Sequence, residues 1–164
     1  MMESMVDKVL RKIGETCYLY HRLILIVGPA RSGKTSVMQK VSEITSVPLV
    51  NVNLELSRRM LELTERQRTF SLPKLLSEVV EEVANELVLL DNIEILFDIH
   101  LKQDPLRLLQ GLSRDKTVVA AWNGSVVDGH IIYAAPGHPE YRRYPIYDEH
   151  GAQKFLFVCT EVGT

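Results

Sequence analysis

Leu23-Ile24-Leu25-Ile26-Val27, followed by Gly28-Pro29-Ala30-Arg31-Ser32-Gly33-Lys34-Thr35, is the stretch on which the fold turns. Five apolar residues in an unbroken run are too few for a helix and are partly β-branched, as a parallel strand covered on both faces would be. The next eight fit G-x-x-x-x-G-K-[ST], and Val37, Met38, Val41 and Ile44 then recur at helical spacing ahead of Pro48. Strand, loop and helix in that order build a phosphate cradle: backbone N–H groups converge on phosphate oxygens, and the positive end of the helix favours negative charge. Gly33 permits a backbone conformation and a close approach that a Cβ would obstruct. Lys34 reaches the β- and γ-phosphates as a point charge, and the Thr35 hydroxyl can ligate Mg²⁺.

From ordinary Gly, Lys and Ser/Thr usage, a chance match in a chain of this length has a probability on the order of 0.5%. The expected ligands are therefore ATP and Mg²⁺, with Gly28, Pro29, Ala30, Arg31, Ser32, Gly33, Lys34, Thr35 and Ser36 as nucleotide-binding residues. Arg31 stands where a small residue is usual. It could reach the γ-phosphate or a neighbouring subunit, but the favoured expectation is that it points into water.

Outward from this stretch, strands and helices alternate. Residues 48–53 read as a second strand, and 54–69 as a charged, helix-compatible stretch with no assigned role. Ser71 can cap a helix carrying Leu75, Leu76, Val79, Val80 and Val83. Leu87-Val88-Leu89-Leu90 is a third apolar strand ending on Asp91, and Asp104-Pro105 opens a helix with Leu106, Leu108, Leu109 and Leu112. A fourth strand, 117–122, ends on Asn123 and Gly124. Short strands are expected at 131–134 and 155–159, around a loop at 136–151. Upstream, residues 4–20 place Met5, Val6, Val9, Leu10, Ile13 and Cys17 on one face of an amphipathic helix.

This alternation predicts an α/β fold, a three-layer P-loop NTPase whose mainly parallel sheet is flanked by helices. An N-terminal amphipathic helix and a C-terminal β-rich extension complete it. The expected organisation is a single domain over 1–164, with a core at about 21–124 and a tail at about 125–164.

Four apolar residues ending in Asp91 match the second nucleotide motif, the Walker B strand, so Thr35 and Asp91 are the expected metal ligands. Hydrolysis also needs a group that orients and deprotonates water. The position after the aspartate, often glutamate in ATPases, holds Asn92, and the nearest carboxylate is Glu94. Glu94 reads equally as that base or as a capping partner in the first turn of a helix starting at Asp91. Asn123 sits where ATPases with an extra strand between the two motif strands carry a polar sensor, with a turn-forming Asn-Gly as the alternative. Lys34, Glu94 and Asn123 are thus the candidate catalytic set. Arg114, Arg142 and Arg143 are candidate arginine fingers, supplied in trans if the protein assembles.

Composition sets outer bounds. The chain of 164 residues carries a formal net charge of -2, so no global field draws it to nucleic acid, and any DNA contact is local or borrowed from a partner. No apolar run approaches the roughly 18 residues of a membrane helix. The N-terminus lacks the plan of a secretory signal, and a cytoplasmic location is expected. Cys17 and Cys159 have no metal or redox spacing and are expected to be buried small hydrophobes. His130, His138 and His150 lack tight metal spacing. Tyr133, Tyr141, Tyr144 and Tyr147 beside Arg142 and Arg143 suit a packed hairpin or a partner surface better than base stacking.

The loop motif, Asp91-Asn92-Ile93-Glu94-Ile95-Leu96-Phe97-Asp98, Asp104-Pro105-Leu106-Arg107-Leu108-Leu109, Ala121-Trp122-Asn123-Gly124 and Pro136-Gly137-His138-Pro139-Glu140-Tyr141 together resemble the BrxF family. These are the small P-loop proteins of type 3 BREX bacteriophage-exclusion systems. The resemblance covers most of the chain and implies a prokaryotic antiphage role beside a methyltransferase, a phosphatase-like protein and larger ATPases. The sequence is also similar to AAA+-type ATPases in general. It departs from them at Asn92 and in leaving too few residues after the core for a separate helical lid. Three functions fit: a slow or partner-stimulated ATPase of a defence complex, a nucleotide-binding adaptor that does not hydrolyse, and a small-molecule or nucleotide kinase. A homo-oligomer is a candidate assembly.

Overall fold

A computed structural model describes residues 4–160. Five strands form a parallel sheet in the order β2 (Leu49–Asn51), β3 (Leu87–Asp91), β4 (Thr117–Val127), β1 (Leu23–Gly28), β7 (Leu156–Cys159). Every residue of β1 and β3 is buried, because Leu23–Val27 and Leu87–Leu90 are apolar runs within a sheet covered on both faces, and Asp91 ends β3 as a buried carboxylate. The helices of the fold are α1 (Met5–Glu15), α2 (Lys34–Thr45), α3 (Val52–Met60), α4 (Glu65–Glu81) and α5 (Pro105–Leu112). The fold is therefore α/β, a mainly parallel seven-stranded sheet flanked by helices. β4 lies between β1 and β3, so the strand carrying Asn123 separates the two motif strands.

Register brings the polar strand ends to one edge. Gly28 pairs with Asn123, and Asn51 with Asp91. Carboxyl ends of parallel strands are where ligands bind in open α/β sheets.

Local physics changes several of the expected elements. The first helix stops at Glu15, and residues Thr16–Tyr18 tighten into a 3-10 turn. That rotation buries Thr16, whose hydroxyl donates to Ile13 O at 2.8 Å, and turns Cys17 outward. Cys159 is exposed as well, at the end of edge strand β7, so neither cysteine is a core residue. Burial still pushes the Cys159 thiol above its ordinary value.

The second strand is shortened to Leu49–Asn51, because Asn51 Oδ1 accepts from Leu54 N at 3.0 Å and starts α3 at once. The unassigned stretch is thus α3 and the first turns of α4. Ser71 caps nothing. Thr64 caps α4 instead, in a reciprocal box with Gln67, and the helix runs through Pro73. Proline cannot donate to the carbonyl four residues back, that of Thr69. Gln103 Nε2 donates to that oxygen at 2.8 Å, which is why the helix tolerates the proline.

β4 does not end at Asn123-Gly124, and the turn alternative for that pair is excluded. The strand runs on to Val127 and turns back into β5 (His130–Tyr133) through Asp128 and Gly129, at φ 50° and 73°. Two positive φ values are what a two-residue type I′ turn requires. β6 (Arg142–Pro145) pairs with β5 inside the expected loop. The sheet does not stop at the expected core limit of 124 either, since β7 returns to pair with β1.

At Gly124 a Cβ would collide with the backbone oxygen of Ile132, which also accepts from Trp122 Nε1 at 3.1 Å. Overpacking against backbone has no soft way out. Gly124→Ala is expected to destabilise the protein by about 2–3 kcal/mol in chemical denaturation. A loss below about 0.5 kcal/mol would mean that the hairpin does not seat as closely as described.

Candidate phosphate-binding and catalytic site

The loop after β1 is shaped by two left-handed residues, Arg31 at φ 64° and Gly33 at φ 92°. Gly33 has open space where a Cβ would stand, so its requirement is conformational, and the close-approach half of the expectation finds no obstruction. Gly28 is the opposite case: a Cβ there would meet the side chains of Thr160 and Ser32.

Among the described residues, the N–H groups of Gly33, Lys34, Thr35 and Ser36 have no acceptor, while Ser32 N donates to Pro29 O and Val37 N to Gly33 O. The Ser32 hydroxyl is buried and also unpartnered. Four such donors at a helix N-terminus suit an anionic group with several oxygens, as a phosphate chain has.

Lys34 is buried. Its Nζ donates to Gly28 O at 2.9 Å and to Pro29 O at 2.6 Å, across the mouth of the loop. Burial lowers its pKa from the ordinary value, while the Glu94 and Asp91 carboxylates pull it back up. Thr35 Oγ1 donates to Asp91 Oδ2 at 2.9 Å, and Asp91 Oδ1 accepts from Asn92 N at 2.9 Å. A hydroxyl and a carboxylate in contact are a hard-oxygen pair of the type that divalent magnesium prefers.

Asn92, at φ 52°, kinks the chain directly after β3. Asparagine tolerates this left-handed conformation better than glutamate, a physical reason for the departure from the usual motif. The kink leads into the 3-10 turn Glu94–Phe97, which has no side-chain cap, so Glu94 does not serve as a capping partner. Its carboxylate accepts from Asn123 Nδ2 at 2.7 Å through Oε1 and from Asn53 Nδ2 at 3.1 Å through Oε2. Asn53 is itself fixed, its Oδ1 accepting from Ile95 N at 2.8 Å and its N donating to Asn92 O at 2.8 Å.

Asn53 is the site residue that the sequence did not single out. A polar residue closing a strand usually reads as a cap, and Asn51 does take that role two positions earlier.

The other candidates lie apart. Arg142 is engaged with Gln103 O at 2.9 Å, Arg143 approaches His130 Nδ1 at 3.4 Å, and Arg114 sits 5.3 Å from the Tyr20 ring centroid. Tyr133 and Tyr144 pack into the hairpin, whereas Tyr147 is exposed. Pro29, Ala30, Asn123, Gly124, Ser125 and Ala134 line a cleft of about 410 Å³ beside the loop. A groove of about 480 Å³ bordering α4, around Phe70 and His100, contains none of the motif residues.

No family model matches this sequence, and no curated protein matches it. Among solved structures, AMPPCP-bound DnaA from Aquifex aeolicus superposes with a TM-score of 0.42 at 16% identity. The match covers 75% of this chain and 39% of the DnaA chain. What the site can do follows from its own residues.

Arg31 is exposed and makes no hydrogen bond or ion pair among the described residues, yet it holds a left-handed backbone. Arg31→Gly is expected to raise unfolding stability by about 1 kcal/mol, the cost of that conformation for a residue with a Cβ. Unchanged or lowered stability would show that the arginine side chain contributes a compensating contact.

Proposed function

We propose that this chain binds Mg-ATP through Gly28, Pro29, Ala30, Arg31, Ser32, Gly33, Lys34, Thr35 and Ser36, and hydrolyses it slowly or under the control of a partner. The observation that carries this is the Glu94 carboxylate, held between the amides of Asn53 and Asn123 at the same sheet edge as a loop with four N–H donors that have no acceptor among the described residues. A nucleotide-binding loop alone would need no such carboxylate.

The loop N–H groups hold the phosphate oxygens, and Lys34 exchanges its carbonyl partners for the β- and γ-phosphates. Thr35 and Asp91 are the residues that would hold Mg²⁺, which when bound neutralises charge on those phosphates. Asn123 orients Glu94 and the attacking water, and Glu94 accepts the proton from that water. The Asn53 and Asn123 amides each take one oxygen of Glu94, so one of them has to withdraw before the carboxylate can engage a water, which is the reason we propose slow turnover.

The setting we propose is a type 3 BREX defence complex in the bacterial cytoplasm, supported by the family resemblance, with a homo-oligomer or local DNA contact arising there. Nucleotide binding by calorimetry and phosphate release with Mg²⁺ test the core of it. Binding with turnover supports the ATPase. Binding without turnover, alone and with partner proteins, leaves the adaptor, and transfer of phosphate to a nucleotide or small molecule would make it a kinase.

A further inference from the structure

We infer that Tyr133 is a positioning residue for the Glu94–Asn123 pair, its ring clamping the turn that carries Glu94 against the strand that carries Asn123. This rests on the proposal that Glu94 is the base.

The two catalytic candidates come from different elements, and their 2.7 Å contact needs something to hold the elements in step. Behind them stands a cluster of rings. Phe97 ends the turn that begins with Glu94, and Trp122 immediately precedes Asn123. Tyr133, from β5, stacks face to face on Phe97 with centroids 3.5 Å apart and planes at 8°. It also meets Trp122 edge to face at 6.1 Å, while Phe97 and Trp122 meet at 5.1 Å and 85°. Three rings in mutual contact fix the relative position of three backbones more tightly than aliphatic contacts, because each ring has few rotamers and a preferred mutual geometry.

The hairpin that supplies Tyr133 is itself tied down. Trp122 Nε1 donates to Ile132 O, Tyr144 Oη donates to Asp104 Oδ1 at 2.9 Å, and Arg142 donates to Gln103 O. The Tyr133 hydroxyl makes no hydrogen bond among the described residues. Burial, then the Glu140 and Glu94 carboxylates, push this phenol far above its ordinary pKa, so it stays protonated and acts as an uncharged ring. Its role is therefore one of shape, and phenylalanine should replace it.

The test compares wild type, Tyr133→Leu and Tyr133→Phe by kcat, by KM for ATP, and by the side-chain amide NMR signals of Asn123, assigned through Asn123→Asp. Tyr133→Leu is expected to lower kcat on the order of 10- to 100-fold, the scale of a sub-ångström to 1 Å misplacement, with KM within about 2-fold. Its Asn123 amide signals should leave their wild-type positions, and Tyr133→Phe should restore kcat and signals together. Retained kcat and unmoved signals in Tyr133→Leu would overturn the assignment, as would a KM that worsens in step with kcat. If wild type does not turn ATP over, the hydrolysis proposal fails, yet the amide signals still decide whether Tyr133 sets the Glu94–Asn123 contact. Should Tyr133→Leu fail to fold, Tyr133→His, which keeps a smaller planar ring, is read in the same way with a smaller expected effect.

Discussion

Lys34→Ala is expected to weaken Mg-ATP binding roughly 100-fold and to take hydrolysis below detection while the protein remains folded. The ammonium makes two short contacts to loop carbonyls and no third among the described residues, so one donor is open to an incoming phosphate before the carbonyl contacts are exchanged. A charge-assisted hydrogen bond contributes about 1.5–3 kcal/mol, and losing about 3 kcal/mol is roughly two orders of magnitude in Kd. Stability should suffer less than binding. Burial already lowers the pKa of Lys34, which means that folding disfavours its charge, and alanine removes that desolvation penalty along with the two hydrogen bonds. Calorimetric titration with ATP, beside a thermal melt, separates the two effects. Binding within about 3-fold of wild type would remove the loop from the nucleotide site.

The elements most legible in the sequence were those whose local chemistry admits one solution. The runs that became β1 and β3 are apolar on both faces and too short for a helix. Asp91 and Asn123 were visible because each ends an apolar run, and polarity appearing at the end of a buried strand marks the edge where a ligand can sit. What the sequence hid depended on partners far along the chain. A helix through Pro73 is improbable on local rules until Gln103 supplies the donor for Thr69 O. The continuation of β4 through Gly124 is invisible because glycine weakens a strand locally. Only the packing of Ile132 O against it shows why glycine is needed there. Asn53 was hidden in the same way, since it contacts Glu94 forty-one positions on. Cys17 was misplaced by a single residue of phase, when an α-helical period was extended into a 3-10 turn.

Glu94→Gln should keep ATP binding within about 3-fold while lowering turnover by a factor on the order of 10² to 10⁴, the range attributed to a positioned acid or base. The substitution is nearly isosteric, but it replaces one acceptor oxygen with a donor NH₂. Asn53 cannot turn over to suit it, because its Oδ1 already accepts from Ile95 N, so the glutamine oxygen must face the Asn53 amide. The glutamine NH₂ then faces Asn123, whose side-chain oxygen has no partner among the described residues and can rotate inward to accept. The polar cluster therefore survives with every short contact satisfied, and the fold and the phosphate loop are left in place. What is lost is the ability to take a proton from water, because an amide is not a base at neutral pH. Phosphate release under saturating Mg-ATP, with nucleotide trapping measured on the same sample, separates these effects. Tight trapping without release would support Glu94 as the base. Turnover at the wild-type rate would make Glu94 a strut between Asn53 and Asn123, and would leave Asn123 and the bound phosphates to activate water without it.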